Sequence, residues 1–260
     1  MREAGLVVGA GLAAMTQAIR PGVSTYELDQ IARRVLADAG AASSFLGYAG
    51  PPPFPGVICA SRNANVVHGI PSPDEVLADG DLISLDFGAI VDGWHGDAAV
   101  TVAVGEVSAD AQALSRACRT ALWDGIAAAQ VGGRLTDISA AVETSVHGSG
   151  RYGIVTGYGG HGIGTAMHMD PHILNHGKPG RGPRLVAGMA LAIEPMITLG
   201  SGQTRELADY WTVETADGSL AAHWEHTVAL LADGLWVLTA EDGGRTELRA
   251  RGVPVSALAG

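Results

Sequence analysis

A chain of 260 residues suits one large domain or two small ones, and 47% hydrophobic against 17% charged residues supplies a sizeable core and excludes a disordered chain. Fifteen arginines and one lysine, Lys178, face 27 acids for a net charge of −11, which argues against nucleic acid or an anionic membrane as the main ligand and suits a chain that binds cations. Cys59 and Cys118 are too few for a disulfide framework and point to a reducing cytoplasm, and no uninterrupted apolar run reaches the roughly 18 residues of a membrane span.

The apolar stretch from Ala4 to Met15 is broken as a signal sequence by Glu3 and its glycines. Next, PGVSTYELDQIARRVL (21–36) carries Ser24 and Glu27 at capping-box spacing and an apolar stripe of Leu28, Ile31, Val35 and Leu36, which predicts a helix. GVICAS (56–61), LISLDFGAI (82–90) and AAVTVAV (98–104) predict strands, the last two joined as a hairpin through Asp92-Gly93. Ser108 can cap a long helix bearing Leu114, Cys118, Leu122 and Ile126. VGGRLTDISAAVETSV (131–146) then echoes 21–36, with Glu27-Leu28 and Asp137-Ile138 at a constant offset of 110. That echo reads either as coincidence in Gly/Ala-rich sequence or as an internal duplication. GMALAIEPMI (188–197), YWTVET (210–215) and HWEHTVALL (223–231) predict further strands. Helices, strands, helices, strands is an α+β order with antiparallel sheet. Residues 1–240 form one domain in this reading, and the Gly/Arg/Ala-rich stretch 241–260 is a flexible tail.

A two-residue turn at Asp92-Gly93 pairs Gly88 with Asp97 and Asp86 with Ala99, placing both carboxylates on one face as diagonal neighbours roughly 7 to 8 Å apart at the backbone. A lone aspartate is most simply a solvated face or a turn former. These two are flanked by Leu, Ile, Phe, Val and Ala, so they fall in the sheet core, where burial without a cation is costly. Glu194 in LAIEPM and Glu225 in AAHWEHTVAL repeat the pattern, each an acid inside an apolar strand. Four buried carboxylates carry about the charge that two divalent ions neutralise. In GYGGHGIGTAMHMDPH (157–172), His161 supplies the nitrogen ligand, and His168, seven positions on, points into the same cavity without binding metal. His68, in NVVHGIP, reads on its own as a residue of an exposed loop. Mixed oxygen and imidazole donors suit Co, Mn, Fe, Ni or Zn better than Ca or Mg.

HGIP at 68, LDFG at 85, DGWHGD at 92, GGHGIG at 159, AIEPM at 192 and WTVETADGSLAAHWEHT at 211, in that order, resemble the type I methionine aminopeptidases over residues 2 to 240. The resemblance implies a pita-bread fold, with pseudo-twofold duplicated helices around a curved antiparallel sheet. It also implies two divalent ions on Asp86, Asp97, His161, Glu194 and Glu225, with Glu194 doubling as the proton shuttle. His68 and His168 are then catalytic groups beside the substrate, and Tyr48, Phe54, Cys59, Met167 and Trp211 wall the methionine pocket. The implied reaction is removal of the initiator methionine when the second residue is small. Three features depart from the family: the prolines of GPPPFPG, Met167 where many relatives have an aromatic, and Met169 where a glutamate is common. An Xaa-Pro enzyme of the same fold normally brings an additional N-terminal domain, and non-catalytic peptide-binding relatives tend to lose ligands. The implied partners are nascent polypeptide N-termini, met by a cytoplasmic monomer. The chain lacks the zinc-binding or proline-rich extensions of longer relatives and so shows no ribosome anchor in its sequence; a transient ribosome contact is expected, with no specific nucleic acid or membrane partner.

Overall fold

Apolar spacing of three to four in some segments and of two in others resolves, in the computed structural model, into five helices and fifteen strands among the described residues, which are 1–48, 50 and 52–257. The first half holds α1 (Arg2–Ala18), α2 (Thr25–Asp38), β1 (Ala42–Ser43), β2 (Ile58–Arg62), β3 (Asn65–Val67), β4 (Leu82–Val91) and β5 (Trp94–Ala103). The second half opens with α3 (Ala109–Ala128), α4 (Leu135–Ser149), β6 (Gly153–Ile154), β7 (Gly160–Gly162), β8 (Met169–Ile173) and β9 (Ala190–Ile193). It continues through β10 (Met196–Thr198), β11 (Thr204–Glu206), β12 (Val213–Thr215), β13 (Ala221–His223), β14 (Glu225–Leu231), β15 (Gly234–Val237) and α5 (Arg245–Ala250).

The echo at offset 110 is a duplication of structure. Glu27 accepts from the Ser24 N–H at 2.8 Å where α2 begins, and Asp137 accepts from the Arg134 N–H at 2.7 Å where α4 begins. In both copies an acid at the third helical position satisfies a backbone donor that the helix leaves free. α1 packs on α2 and on β4 and β5; α3 packs on α4 and on β9 and β14. Beneath the helix pairs lies a nine-stranded antiparallel sheet ordered β1-β4-β5-β14-β9-β7-β8, with β2 added to β4 and β15 to β14. The two halves join where β5 pairs β14, Ala99 opposite Glu225 and Ala98 opposite His226. Each half has its own core: Val8, Met15 and Leu28 against Ile58, Leu85 and Phe87 in one, Leu122, Ile126 and Ile138 against Leu191, Ile193 and Val228 in the other. Glycine lets α1 lie close to the sheet, since a Cβ on Gly11 would meet the Phe87 ring at 2.4 Å. The architecture is the expected α+β one, duplicated helices about a curled antiparallel sheet.

The expectation of a flexible tail does not hold over residues 241–257. There α5 buries Leu248 completely, Val255 bridges Leu235, the Arg245 guanidinium lies 5.3 Å from the Trp236 ring, and Arg251 pairs with Asp124 at 2.8 Å. Composition cannot reveal this, because the order comes from partners more than a hundred residues away in sequence or on the last strand. Residues 258–260 lie outside the described residues. Among the described residues no helix is long and apolar enough to cross a membrane.

Candidate metal centre

Asp92 at φ 50° and Gly93 at φ 79° both adopt the left-handed conformation that a two-residue type I′ turn requires. The turn fixes the register of β4 on β5, and Gly88 faces Asp97 while Asp86 faces Ala99, as the sequence predicts. Glu225 flanks the same Ala99 from β14. On the other side of β14, His226 pairs Ile193, and continuing that register sets Glu225 opposite Glu194. His161 on β7 pairs Ala192, two residues before Glu194. Paired residues share a face and period two keeps it, so all five side chains rise from one face, over the small Ala99 and Ala192. The expectation that Glu194 and Glu225 lie inside single long strands is corrected. Glu194 occupies the break between β9 and β10, where Pro195 has no N–H to continue the ladder, and Glu225 opens β14 after a break at Trp224.

Asp97, His161 and Glu225 are buried and each offers a ligand atom within 4.8 Å of the others'. Glu194 Oε1 lies 3.6 Å from His161 Nε2. Asp86 lines the same cavity but is not among the three donors that converge. Asp86 Oδ1, Asp97 Oδ1, Glu225 Oε1 and His223 Nε2 are all buried without a hydrogen-bond partner. Among the described residues no arginine or lysine forms an ion pair with any of the four acids. Orphaned buried acceptors of one sign are strongly destabilising unless a cation satisfies them. The donor set therefore fits divalent metal. Burial raises the Asp86 carboxyl to about 7. Asp97, Glu194 and Glu225 are pushed well above the ordinary carboxylate range, first by burial and then by the neighbouring acids. Burial also holds His161 neutral, its pKa lowered to about 4. Its Nδ1–H donates to the Gly162 carbonyl at 2.9 Å, which leaves the Nε2 lone pair toward the acids.

These shifts predict how the metal-free protein responds to pH. Between its ordinary value of 3.8 and about 7, folded Asp86 keeps a proton that the unfolded chain has released. Stability from this group is therefore complete below about 4 and declines as pH rises through 7, and the other three acids carry the decline higher. Metal uptake expels the same protons, so the rise in Tm on adding Mn(II) should grow from pH 5.5 to 8. Calorimetric scans across that range check it, and a metal-induced rise independent of pH would show that these acids are already ionised in the metal-free fold.

The acids line a cavity of about 560 Å³ together with Tyr48, Phe54, Cys59, His68, Met167, His168 and Trp211, the residues that the resemblance puts on the substrate side. Phe54, Cys59 and Met167 pack with Phe45 and Ile163 as one apolar cluster. The Trp211 ring stands edge-on to Phe54 at 5.2 Å, and its Nε1–H donates to the Pro52 carbonyl at 2.9 Å. One proline of the unusual run thus holds a pocket wall; Pro51 lies outside the described residues. His68, which the resemblance sets beside the substrate and which reads on its own as an exposed loop residue, lines the cavity: it is half-buried behind β3, edge-on to Tyr158 and Trp211, and burial lowers its pKa to about 4. His168 sits at the rim with its Nδ1 2.5 Å from the Tyr48 hydroxyl and its ring 4.4 Å from that of His161. Sequence reasoning missed His223, which is 2% exposed and has its Nε2 3.6 Å from Glu194 Oε2. The signal was its spacing of two from Glu225, which places both on one face.

A profile of metallopeptidase family M24 matches residues 1–231. Methionine aminopeptidase 1 of Mycobacterium tuberculosis (strain CDC 1551 / Oshkosh) is 58% identical over 244 residues, covering 92% of this chain and 91% of that protein. In structure the chain is similar to the crystal structure of methionine aminopeptidase from Thermotoga maritima, with a TM-score of 0.89 at 36% identity over 93% of this chain and 95% of that one. It is also similar to the Xaa-Pro dipeptidase from Bacillus anthracis, with a TM-score of 0.72 at 24% identity over 93% of this chain but 59% of that one, a likeness of fold alone. The pita-bread architecture expected from the sequence agrees with these likenesses.

Proposed function

The chain belongs to metallopeptidase family M24, and on that premise we propose that it removes the N-terminal methionine from nascent proteins and peptides whose second residue is small. The observation that carries the reading is the join of an orphaned Asp/His/Glu cluster to an apolar pocket in one cavity. Asp86, Asp97, His161, Glu194 and Glu225 would hold two divalent ions, of Co, Mn, Fe, Ni or Zn. When bound, such ions acidify a water and polarise a carbonyl, and one of them can anchor the free α-amino group. Glu194 takes the proton released in the attack and passes it to the leaving amine, a task suited to a carboxyl whose pKa burial raises. His168 donates a hydrogen bond to the developing oxyanion, and His68 holds the scissile amide. The enzyme acts as a cytoplasmic monomer on emerging N-termini, in transient contact with the ribosome.

Methionine is selected by shape. The pocket between Phe45, Phe54, Cys59, Met167 and Trp211 is apolar, and an unbranched thioether can adapt to it where a β-branched side chain cannot. Met-Ala-Ser should be cleaved well and Met-Leu-Ser poorly, with Leu-Ala-Ser slower than Met-Ala-Ser by about 10- to 200-fold, the 1 to 3 kcal/mol that such a pocket discriminates. Trp211→Ala should narrow that ratio more than it weakens metal binding. Peptide assays with each metal test the reading, and equal kcat/KM on Met-Ala-Ser, Leu-Ala-Ser and Phe-Ala-Ser would replace it with a broad-specificity aminopeptidase.

A further inference from the structure

His223 is placed with unusual care for a residue that no step above requires. Its backbone is clamped by the Thr101 hydroxyl, which accepts from the His223 N–H at 2.9 Å and donates to the His223 carbonyl at 2.8 Å. Thr101 is itself tied to Ser84 at 2.9 Å, so β13 is bolted to the hairpin that carries Asp86 and Asp97. Across β13 and β10, His223 pairs with Met196, two residues beyond Glu194, which makes His223 and Glu194 diagonal neighbours on one face. The imidazole reaches the cavity, where its buried Nε2 has no partner. The nearest acceptors are Glu194 Oε2 at 3.6 Å and Glu225 Oε2 at 3.9 Å.

We propose that His223 is a positioning residue for Glu194: its Nε2–H donates to Oε2 and holds the carboxylate with Oε1 toward His161. This rests on the aminopeptidase reading, because it is Glu194's work as proton carrier that a fixed orientation serves. The two oxygens of Glu194 are divided between two imidazoles, Oε1 lying 3.6 Å from His161 and Oε2 3.6 Å from His223. An approach of about 0.7 Å brings the second contact to ordinary hydrogen-bond length, a shift within reach of a side chain at a strand break. A donor fits better than a further ligand, since Nε2 faces a carboxylate oxygen of Glu194 and one of Glu225, and ionised carboxylates only accept. A group outside the ligand set that orients a ligand changes activity by about 10- to 100-fold when lost.

The test uses the full chain loaded with Zn(II) alone and labelled with ¹⁵N in its histidines. The expected spectrum contains an Nε2–H protected from exchange that disappears in His223→Gln and shifts in Glu194→Gln. Titration calorimetry of His223→Ala with Zn(II) should give the wild-type stoichiometry. On Met-Ala-Ser its kcat should fall about 10- to 100-fold with KM little changed, and His223→Gln, whose amide donor reaches the same space, should recover most of the loss. An unprotonated Nε2 in the zinc protein, or one ion fewer in His223→Ala, would make the residue a ligand and overturn the proposal. So would His223→Gln as slow as His223→Ala, or His223→Ala as fast as wild type. If instead the wild type cleaves no Met-Ala-Ser with any metal, the aminopeptidase reading fails while the zinc spectrum still decides the hydrogen bond.

Discussion

Asp97→Ala is expected to leave a folded chain that no longer binds two divalent ions and turns over Met-Ala-Ser at least about 10³-fold more slowly, the several kcal/mol of charge stabilisation that bound metal supplies. Asp97 is the acid on which the others depend. It is 3% exposed, it is diagonal to Asp86 on the paired strand, and its donor atom meets those of His161 and Glu225. Its orphaned Oδ1 has no protein partner to lose, so the substitution breaks no hydrogen bond from that atom. Burial and the charges of Asp86 and Glu194 already raise its pKa. Truncation therefore relieves repulsion in the metal-free fold, and the Tm without metal should be no lower than that of the wild type. With Mn(II) added, the wild type gains stability in proportion to the metal's affinity for the folded chain, and the variant gains much less. Calorimetric titration and thermal scans separate the two effects. A variant that still takes up two ions at wild-type affinity would remove Asp97 from the ligand set and, with it, the geometric basis of the dinuclear reading.

The legibility of this centre in the sequence varied with how local its cause is. The Asp92-Gly93 turn sets the whole β4–β5 register by itself, so the facing of Asp86 and Asp97 could be worked out from a dozen residues. Glu27 and Asp137 each cap their helix through contacts three residues away, and so the duplication could be seen as an offset of 110. Glu194 and Glu225 stand out in the sequence as acids among apolar residues, but nothing local marks where their strands end. Where β9 gives way to β10 and β13 to β14, the chain leaves one sheet for another, and only the distant pairing partners record it. The burial of His68 depends on Tyr158 and Trp211, which lie far along the chain. Arg119 and Glu247 form the same kind of long-range pair at 2.6 Å, helping to order a tail that composition marks as loose. In each case the part that failed was the part whose energy comes from a tertiary contact.

His168→Ala should keep the fold and both ions yet lower kcat by about 10²- to 10³-fold, the loss that follows removal of one oxyanion donor. The geometry separates it from the ligands. His161 commits its Nδ1 to the Gly162 carbonyl and turns Nε2 into the acid cluster, whereas His168 has its Nδ1 against the Tyr48 hydroxyl at the rim. With that hydroxyl donating, the proton of a neutral His168 ring resides on Nε2, and burial, followed by His95, lowers the pKa so that the ring stays neutral at working pH. A neutral N–H can strengthen its hydrogen bond as charge develops on the substrate oxygen without repelling the neighbouring metal ions. Because that gain arises in the transition state, kcat and kcat/KM should fall together while KM changes little. Tyr48→Phe removes the group that orients the ring but not the ring, so its loss should be smaller, about tenfold, and should not be worsened when combined with His168→Ala. Steady-state kinetics on Met-Ala-Ser for the two single variants and the double variant, alongside metal titrations, complete the cycle. Loss of an ion in His168→Ala would make it a ligand after all, and additive losses in the double variant would mean that Tyr48 acts on methionine directly and not through His168.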